Sequence, residues 1–188
     1  IDLLDKSSLK SEKRNKLLYL MELGKLYFYD QRYLLAASTF EKATTLSDQL
    51  YTKSILKELS SVLINNTTNT FYGGLYEKSL LYMYQSKSFF YLAQRGYMVE
   101  KKSQKALSPV EKKRYFDSSR SVLVLWNSFF DELKRTGGVK SALKFDYFSK
   151  LMAAKLHEAL GEKRDLEIAL QLYKDAYEYF ILTGKTKK

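Results

Sequence analysis

Two adjoining stretches, LLYLMELGKLYFYD (17–30) and LLAASTFEKATTLS (34–47), decide the fold. In each stretch the apolar residues recur three and four positions apart, which is the spacing of one face of an α-helix. The first carries Gly24 and the second carries Ala36, so the two backbones can approach closely while larger side chains fill the space beside them. The polar run 30–32 between them is long enough only for a turn. The pattern therefore predicts a close pair of antiparallel helices.

The rest of the chain continues the helical pattern. We expect an all-α protein of about seven or eight helices, folded as a single domain over residues 1–188. The single Pro and eight Gly are too few for a loop-rich β protein, and no segment predicts a strand. The polar run 65–70 with Gly73-Gly74 predicts a loop or lid. Further helices are expected over 51–63, 75–91, 109–135, 142–160 and 166–182.

Several residues are placed to begin or end these helices. Ser47 and Asp48 are suitable caps for the helix over 51–63. Gly96, Gly161 and Gly184 are expected at a helix end or a tight turn.

The helix over 109–135 has the clearest start in the chain. Ser108 can cap it, Pro109 suits its first position, and Glu111 stands where a capping box needs an acidic residue. Its length exceeds that of an ordinary repeat helix. Trp126 lies among its apolar residues, and we expect it to be a packing anchor rather than a binding residue.

Residues 17–48 resemble a tetratricopeptide repeat (TPR), although Asp48 stands where that family has Pro. Residues 150–181 have the same spacing, with His157 in the place of the Gly, where we expect it to be a satisfied packing or interface residue. Residues 84–107 are a third candidate, which lacks the pairing alanines. The residues that carry the resemblance are Leu20, Leu23, Gly24, Tyr27, Ala36, Phe40 and Ala43 in the first region, and Ala153, Leu156, Leu160, Leu166, Ala169, Tyr173 and Ala176 in the second.

The resemblance implies a right-handed superhelix of antiparallel helical hairpins, irregular in the middle. It implies no catalysis and no cofactor, but an adaptor or scaffold that binds a peptide or helix of another protein, within a larger assembly. Lys25 stands where the family's clamp for a terminal carboxylate has Asn, so that clamp is not reproduced. The groove-facing residues implied by position are Met21, Lys25, Phe28 and Tyr29, and in the second region Ala154, Lys155, Glu158 and Glu162.

The charge of the chain favours acidic partners. It has 32 Lys and Arg against 21 Asp and Glu, a formal net charge of +11. An alternative hypothesis is therefore a helical protein that binds a polyanion, either nucleic acid or an anionic membrane surface. The basic patch that would serve it consists of Lys101, Lys102, Lys105, Lys112, Lys113 and Arg114.

Most enzyme classes are poorly supported by this sequence. Cys is absent, and with His157 alone no catalytic triad based on His and no site with several His ligands can form. No pair of carboxylates is singled out as acid and base, and no glycine-rich phosphate loop is found. The 16 Tyr and 11 Phe recur mostly at helical spacing, which indicates core positions rather than base stacking.

The sequence gives two weak indications of location. The chain begins with Ile1 rather than Met, which indicates a processed product or a beginning that has been left out. Together with the absence of Cys, this favours a bacterial periplasmic protein, with a cytoplasmic site as the alternative. The longest apolar runs are too short for a membrane span.

Overall fold

A computed structural model describes residues 15–60, 75–100, 103–135 and 147–185, together with Leu4 and Lys10. The predicted loop at 65–74 and the predicted start of a helix at 142 lie outside these residues. Most of the described chain is helical, as expected. In chain order the elements are α1 (Lys16–Tyr29), α2 (Tyr33–Ser60), α3 (Leu75–Arg95), β1 (Tyr97–Glu100), β2 (Ser103–Ala106), α4 (Pro109–Arg135), α5 (Tyr147–Leu160) and α6 (Lys163–Lys185).

The contact between α1 and α2 is as close as the sequence predicts. A Cβ added to Gly24 would lie 2.7 Å from Cε1 of Phe40, well inside the normal distance between two carbons. Ala36 and Phe40 are almost inaccessible to solvent. In the turn between the helices, the Arg32 N–H donates to the Tyr27 carbonyl oxygen at 2.9 Å. The prediction of a close helix pair is confirmed.

α2 is longer than predicted, because Ser47 and Asp48 do not end it. The helix runs without a break to Ser60, so the separate helix expected over 51–63 is wrong. Ser47 is buried, and Asp48 forms an ion pair with Lys78 of α3, at 2.6 Å between Oδ1 and Nζ. Both residues are engaged in packing against the rest of the fold, which overrides their local preference for a helix cap.

α3 is the central helix of the described structure. It packs against α2 and α4, and it also contacts α1, α5 and β1. α3 contacts α4 through a pair of serines. The hydroxyls of Ser86 and Ser119 lie 2.9 Å apart, and the Ser119 hydroxyl also donates to the Ser86 carbonyl oxygen at 3.0 Å. Both serines are fully buried. Two short side chains that satisfy each other's hydrogen bonds thus allow a close contact without Gly or Ala.

The expectation that the chain has no strand is wrong. β1 and β2 form an antiparallel hairpin, with Tyr97 opposite Ala106 and Glu100 opposite Ser103. The candidate repeat over 84–107 is therefore a helix followed by a hairpin, not a helical pair. Gly96 ends α3 at φ +77°, as predicted, and its carbonyl oxygen accepts from the Leu107 N–H at 2.8 Å. The strands escaped prediction because every residue of β2 is exposed, so it has no alternating apolar pattern.

α4 begins and ends where the sequence predicts, at Pro109 and Arg135. Its capping box is complete: the Ser108 N–H donates to Glu111 at 2.8 Å, and the Glu111 N–H donates to the Ser108 hydroxyl at 3.2 Å. Trp126 is the packing anchor that was expected. It is buried, and its Nε1–H donates at 2.9 Å to Ser79 of α3.

α5 and α6 form the last helical pair. They join at Gly161, which has a φ of +76° as its predicted role at a helix end requires. Gly184 does not end α6, which runs to Lys185. The α5–α6 pair shares a core with α3 and α4, and buried members of that core are Phe90, Leu123, Trp126, Phe130, Ala154, Leu156 and Leu172.

We expect Gly24→Val to lower the free energy of unfolding by about 1–3 kcal/mol, because the new side chain must displace the buried ring of Phe40. Denaturant unfolding of the purified chain measures this. In a Phe40→Leu background the same substitution should cost less, since the smaller side chain makes room. An equal loss in both backgrounds would show that the two residues do not form the close contact.

Candidate functional site

An apolar cavity of about 340 Å³ lies between α1, α3 and α5. Met21 and Lys25 of α1 and Phe148 of α5 contribute to its wall, and Phe40 of α2 reaches it. Among the lining residues that the structure describes, Lys25 is the one that carries a charge. From α3 the lining includes Tyr76, Leu80, Leu81, Met83 and Tyr84.

The cavity has a buried base and an aromatic mouth. Met21, Phe40 and Leu81 are buried, whereas Tyr76 and Phe148 keep 50% and 45% of their surface exposed. This change from a buried base to an exposed aromatic mouth suits the insertion of a single apolar side chain from outside. The inserted side chain would lose its contact with water at the base, while the aromatic rings at the mouth would cover its stem.

Tyr84 is held in place by two other rings. Phe40 stacks on it at a centroid distance of 5.4 Å with an interplanar angle of 18°, and Phe28 meets it edge-on at 5.3 Å. Its hydroxyl lies 3.3 Å from the hydroxyl of Tyr29. Burial, together with that hydrogen bond, raises the pKa of Tyr84 to about 12. Tyr84 is therefore a rigid, neutral wall of the cavity at any physiological pH.

Lys25 places a positive charge at the edge of the cavity. Its ammonium group lies 3.0 Å from Glu22, one turn earlier on α1, and about two fifths of its side chain is exposed. An exposed pair of this kind contributes little stability, so an acidic group of a ligand can replace Glu22 at small cost. The arrangement combines an apolar recess with one cation beside it.

The structure brings together only some of the groove residues implied by the resemblance. Met21 and Lys25 line the cavity, and Phe28 and Tyr29 contact Tyr84 beside it. The four residues from the second region lie outside its lining. Of these, Lys155 is exposed on α5, Glu158 accepts from the Tyr173 hydroxyl at 2.5 Å, Ala154 is buried in the core, and Glu162 forms an ion pair with Arg120.

The residues of the predicted basic patch are described only in part. Lys101 and Lys102 lie outside the described residues. Lys105 is exposed on β2, and Lys113 is exposed in the first turns of α4. Arg114 is exposed and lies over the ring of Tyr115, whereas Lys112 covers Gly96, with Cε 2.8 Å from where a Cβ would stand.

His157 belongs to a buried network that joins three helices. Its Nδ1 lies 3.1 Å from Asp165 of α6, and Arg120 of α4 donates to the same carboxylate from Nε at 2.9 Å. Arg120 also forms ion pairs with Asp117 at 2.8 Å and Glu162 at 2.9 Å. The prediction that His157 is a satisfied packing residue holds for Nδ1, whereas Nε2 is buried without a hydrogen-bond partner.

Burial keeps His157 neutral, against the opposing effect of its contact with Asp165. Burial raises the pKa of Asp165, but hydrogen bonds from Arg120 and His157 outweigh it and hold that pKa below its ordinary value. Asp165 is therefore ionised and accepts from Nδ1–H of His157. Burial lowers the pKa of His157, since a second proton would have to sit on Nε2, which has no acceptor. Nε2 is thus unprotonated and closed to solvent in this conformation.

Sequence reasoning missed the α3 side of the cavity and the partners of His157. Tyr76, Leu80 and Tyr84 lie in the helix predicted over 75–91, but spacing alone does not say which of its residues face another helix. Asp165 and Arg120 were not singled out, because they are separated by 45 residues and meet only through the fold.

Comparison with known proteins gives no relatives. No family model, no curated protein and no solved structure matches the chain. Among the residues that the structure describes, no cluster of three or more His, Asp or Glu could hold a metal ion, and no helix is both long and apolar enough to cross a membrane.

The stability of the chain should fall as the pH drops below about 6.5, the ordinary pKa of His. The pKa of His157 is lower in the folded state, so below pH 6.5 the unfolded chain takes up a proton that the folded chain does not, and unfolding is favoured. The slope should not exceed about 1.4 kcal/mol per pH unit. Urea unfolding at about pH 7.5 and at about pH 5.5 measures this slope.

His157→Asn is the matched variant for this measurement, since its side-chain amide can still donate to Asp165 but does not titrate. Its stability at neutral pH will differ, so the slopes are compared rather than the absolute values. A variant with the same dependence on pH as the wild type would contradict the assignment, because His157 is the only His in the chain.

Proposed function

We propose that this chain is a non-enzymatic adaptor with a TPR-like arrangement of helical hairpins, which binds a peptide or helix of another protein in the groove between α1, α3 and α5. The observation that carries the proposal is the apolar cavity of about 340 Å³ between these three helices. In TPR-like arrays the first helices of successive hairpins line the concave binding surface. If α1–α2, α3–α4 and α5–α6 are the hairpins, their first helices are the three that border this cavity.

The size and lining of the cavity suit a side chain rather than a cofactor. Its volume is near the lower limit for small-molecule sites, and its lining offers apolar surface and tyrosine hydroxyls with a single charged group, Lys25. An aromatic or long aliphatic side chain of a partner fits such a recess. Protein interfaces commonly use one buried anchor of this kind, surrounded by weaker contacts.

The charge of the chain favours an acidic partner. With a net charge of +11, it attracts negatively charged segments from a distance. At short range Lys25 is placed to hold a carboxylate next to the anchor. The preferred ligand is therefore a peptide or helix in which an apolar residue is flanked by Asp or Glu.

The environment of His157 supports a role without catalysis. Its free nitrogen is buried, and its other nitrogen is committed to Asp165. The cavity, where a substrate would bind, offers tyrosines and Lys25 but no carboxylate or imidazole among its lining residues. Among the lining residues that the structure describes, the imidazole and carboxylate groups that most often act as general bases are thus absent.

The proposal predicts which peptides the chain selects. A phage library of random peptides, screened on the immobilised wild-type chain, should enrich sequences with an aromatic or aliphatic residue next to Asp or Glu. The synthetic form of an enriched peptide should bind Lys25→Glu about tenfold more weakly, because one attractive charge contact becomes repulsive. Fluorescence anisotropy with the labelled peptide measures the affinity.

Lys113→Glu is the matched control, since it makes the same change of charge on the exposed surface of α4. It should change the affinity by less than about twofold, because Lys113 lies outside the groove. Equal losses in both variants would show that binding depends only on the net charge. Filling the cavity with Leu80→Trp should abolish binding, and unchanged affinity would place the peptide elsewhere.

Polyanion binding is the second candidate, favoured by the exposed Lys105, Lys113 and Arg114 near the start of α4. The acidic Glu111, however, already occupies the N-terminus of that helix through its bonds to Ser108. An additional anion there would meet this carboxylate. The exposed basic side chains can therefore contact a polyanion along the surface, but the helix end does not add to the attraction.

Binding to double-stranded DNA tests this second function. If the basic patch binds, a mobility shift at low salt should weaken steeply as salt is added, and Lys113→Glu should reduce it while Lys25→Glu leaves it nearly unchanged. The absence of a shift at low salt would reject the second candidate and would not affect the first.

A further inference from the structure

α6 has a second apolar face that the helical core covers only in part. The face toward the core consists of small and aliphatic residues with Asp165 at its start. On an adjacent face, Leu170 and Tyr177 keep 57% and 68% of their surface exposed. This outer face, called here the α6 stripe, consists of Leu166, Leu170, Tyr173, Tyr177 and Phe180.

The spacing of the α6 stripe is that of a helix–helix seam. Its members follow one another at intervals of four, three, four and three residues, which gives the average period of 3.5 found where two helices pack along their length. Single exposed apolar residues are common on protein surfaces, but a continuous row over four turns marks an interaction site. The complementary surface is therefore another helix with a similar row.

Parts of the α6 stripe are engaged within the chain, which fixes its geometry. Phe180 meets Tyr147 of α5 edge-on at a centroid distance of 5.5 Å, and the Tyr173 hydroxyl donates to Glu158. Leu166, Leu170 and Tyr177 remain largely exposed. The stripe is thus held rigid at its end and middle while its apolar surface stays available.

The charges beside the stripe are complementary to those of a second copy. Glu167 and Lys174 are both exposed and lie seven residues apart on the same flank. In an antiparallel pairing that sets Leu170 opposite Tyr173 and Leu166 opposite Tyr177, Glu167 of each copy comes next to Lys174 of the other. A parallel pairing would place Lys174 near the uncharged Ala169 instead.

We propose that the α6 stripe is a self-association surface, on which two copies of the chain pair through antiparallel α6 helices. The seam has four layers, Leu166–Tyr177, Leu170–Tyr173 and their two symmetry equivalents, with two pairs of Glu167 and Lys174 beside it. This is a small isologous interface, so the dissociation constant should lie in the micromolar range. The proposal is independent of the groove between α1, α3 and α5.

Sedimentation velocity on the full chain tests the proposal over about a hundredfold range of concentration, up to about 0.3 mM. The wild type should shift from monomer to dimer within this range. Leu170→Asp should remain monomeric, because it buries a charge in the seam. Gln171→Asp is the matched control: it adds the same charge one residue away, off the stripe, and should dimerise like the wild type. Circular dichroism establishes that each variant is folded.

Exchange of the flanking charges tests the antiparallel arrangement. Glu167→Lys and Lys174→Glu should each weaken dimerisation about three- to tenfold, since each creates two like-charge contacts. The double variant should recover the wild-type affinity, because the contacts are restored with their signs exchanged.

Four results would overturn the proposal. If the wild-type chain stays monomeric at every concentration, the α6 stripe is not a self-association surface. A dimer that Leu170→Asp leaves intact uses another surface, and a double charge variant that fails to recover excludes the antiparallel pairing. A monomer that binds anionic vesicles through Leu170 would assign the stripe to a lipid surface instead.

Discussion

The close approach of helix backbones at small side chains is the constraint on which the rest of this structure depends. At the α1–α2 contact, Gly24 leaves the space that the ring of Phe40 fills. At the α3–α4 contact, Ser86 and Ser119 supply each other's hydrogen bonds, so two polar side chains can be buried without an unsatisfied hydroxyl. α3 connects these two helical pairs, because it packs against α2 as well as against α4. Its position determines which of its aromatic residues reach the cavity, and Tyr84 does so because Phe40 stacks directly on it.

Local patterns in the sequence were sufficient to predict much of the helical structure. They were insufficient where contacts between distant residues determine the secondary structure. The capping box at Ser108 and the period of the following residues predicted both ends of α4, because a helix start depends on neighbours within one turn. The break expected at Ser47 was wrong, since burial of that residue and the ion pair of Asp48 with Lys78 hold α2 together. The hairpin was missed because β2 is exposed along its length and so lacks the apolar alternation by which strands are recognised.

The site shows the same division between local and long-range information. Met21 and Lys25 were expected in a groove because of the resemblance to a tetratricopeptide repeat, and both line the cavity. The opposite wall could not be assigned, because the position of α3 depends on contacts between residues far apart in the chain, including the ion pair of Lys78 with Asp48 of α2. His157 was correctly expected to be a packing residue. Its dependence on Asp165 and Arg120 has no signature in the sequence, since the three residues belong to three different helices.

The buried network around Asp165 also determines which face of α6 points outward. Asp165 lies in the first turn of α6 and is held by Arg120 from α4 and by His157 from α5, so the rotation of α6 about its own axis is fixed from two sides. Leu166 follows directly and is turned by about 100° from Asp165, away from the core. If α6 rotated to bury Leu170 and Tyr177, the Asp165 carboxylate would move away from Arg120 and His157. The guanidinium group of Arg120 and the buried imidazole of His157 would then each lose the hydrogen bond to Asp165. The cost of breaking a buried charged network exceeds the gain from covering two side chains. The polar network thereby keeps an apolar surface available for association, on the helix farthest along the chain from the α1 residues that line the cavity.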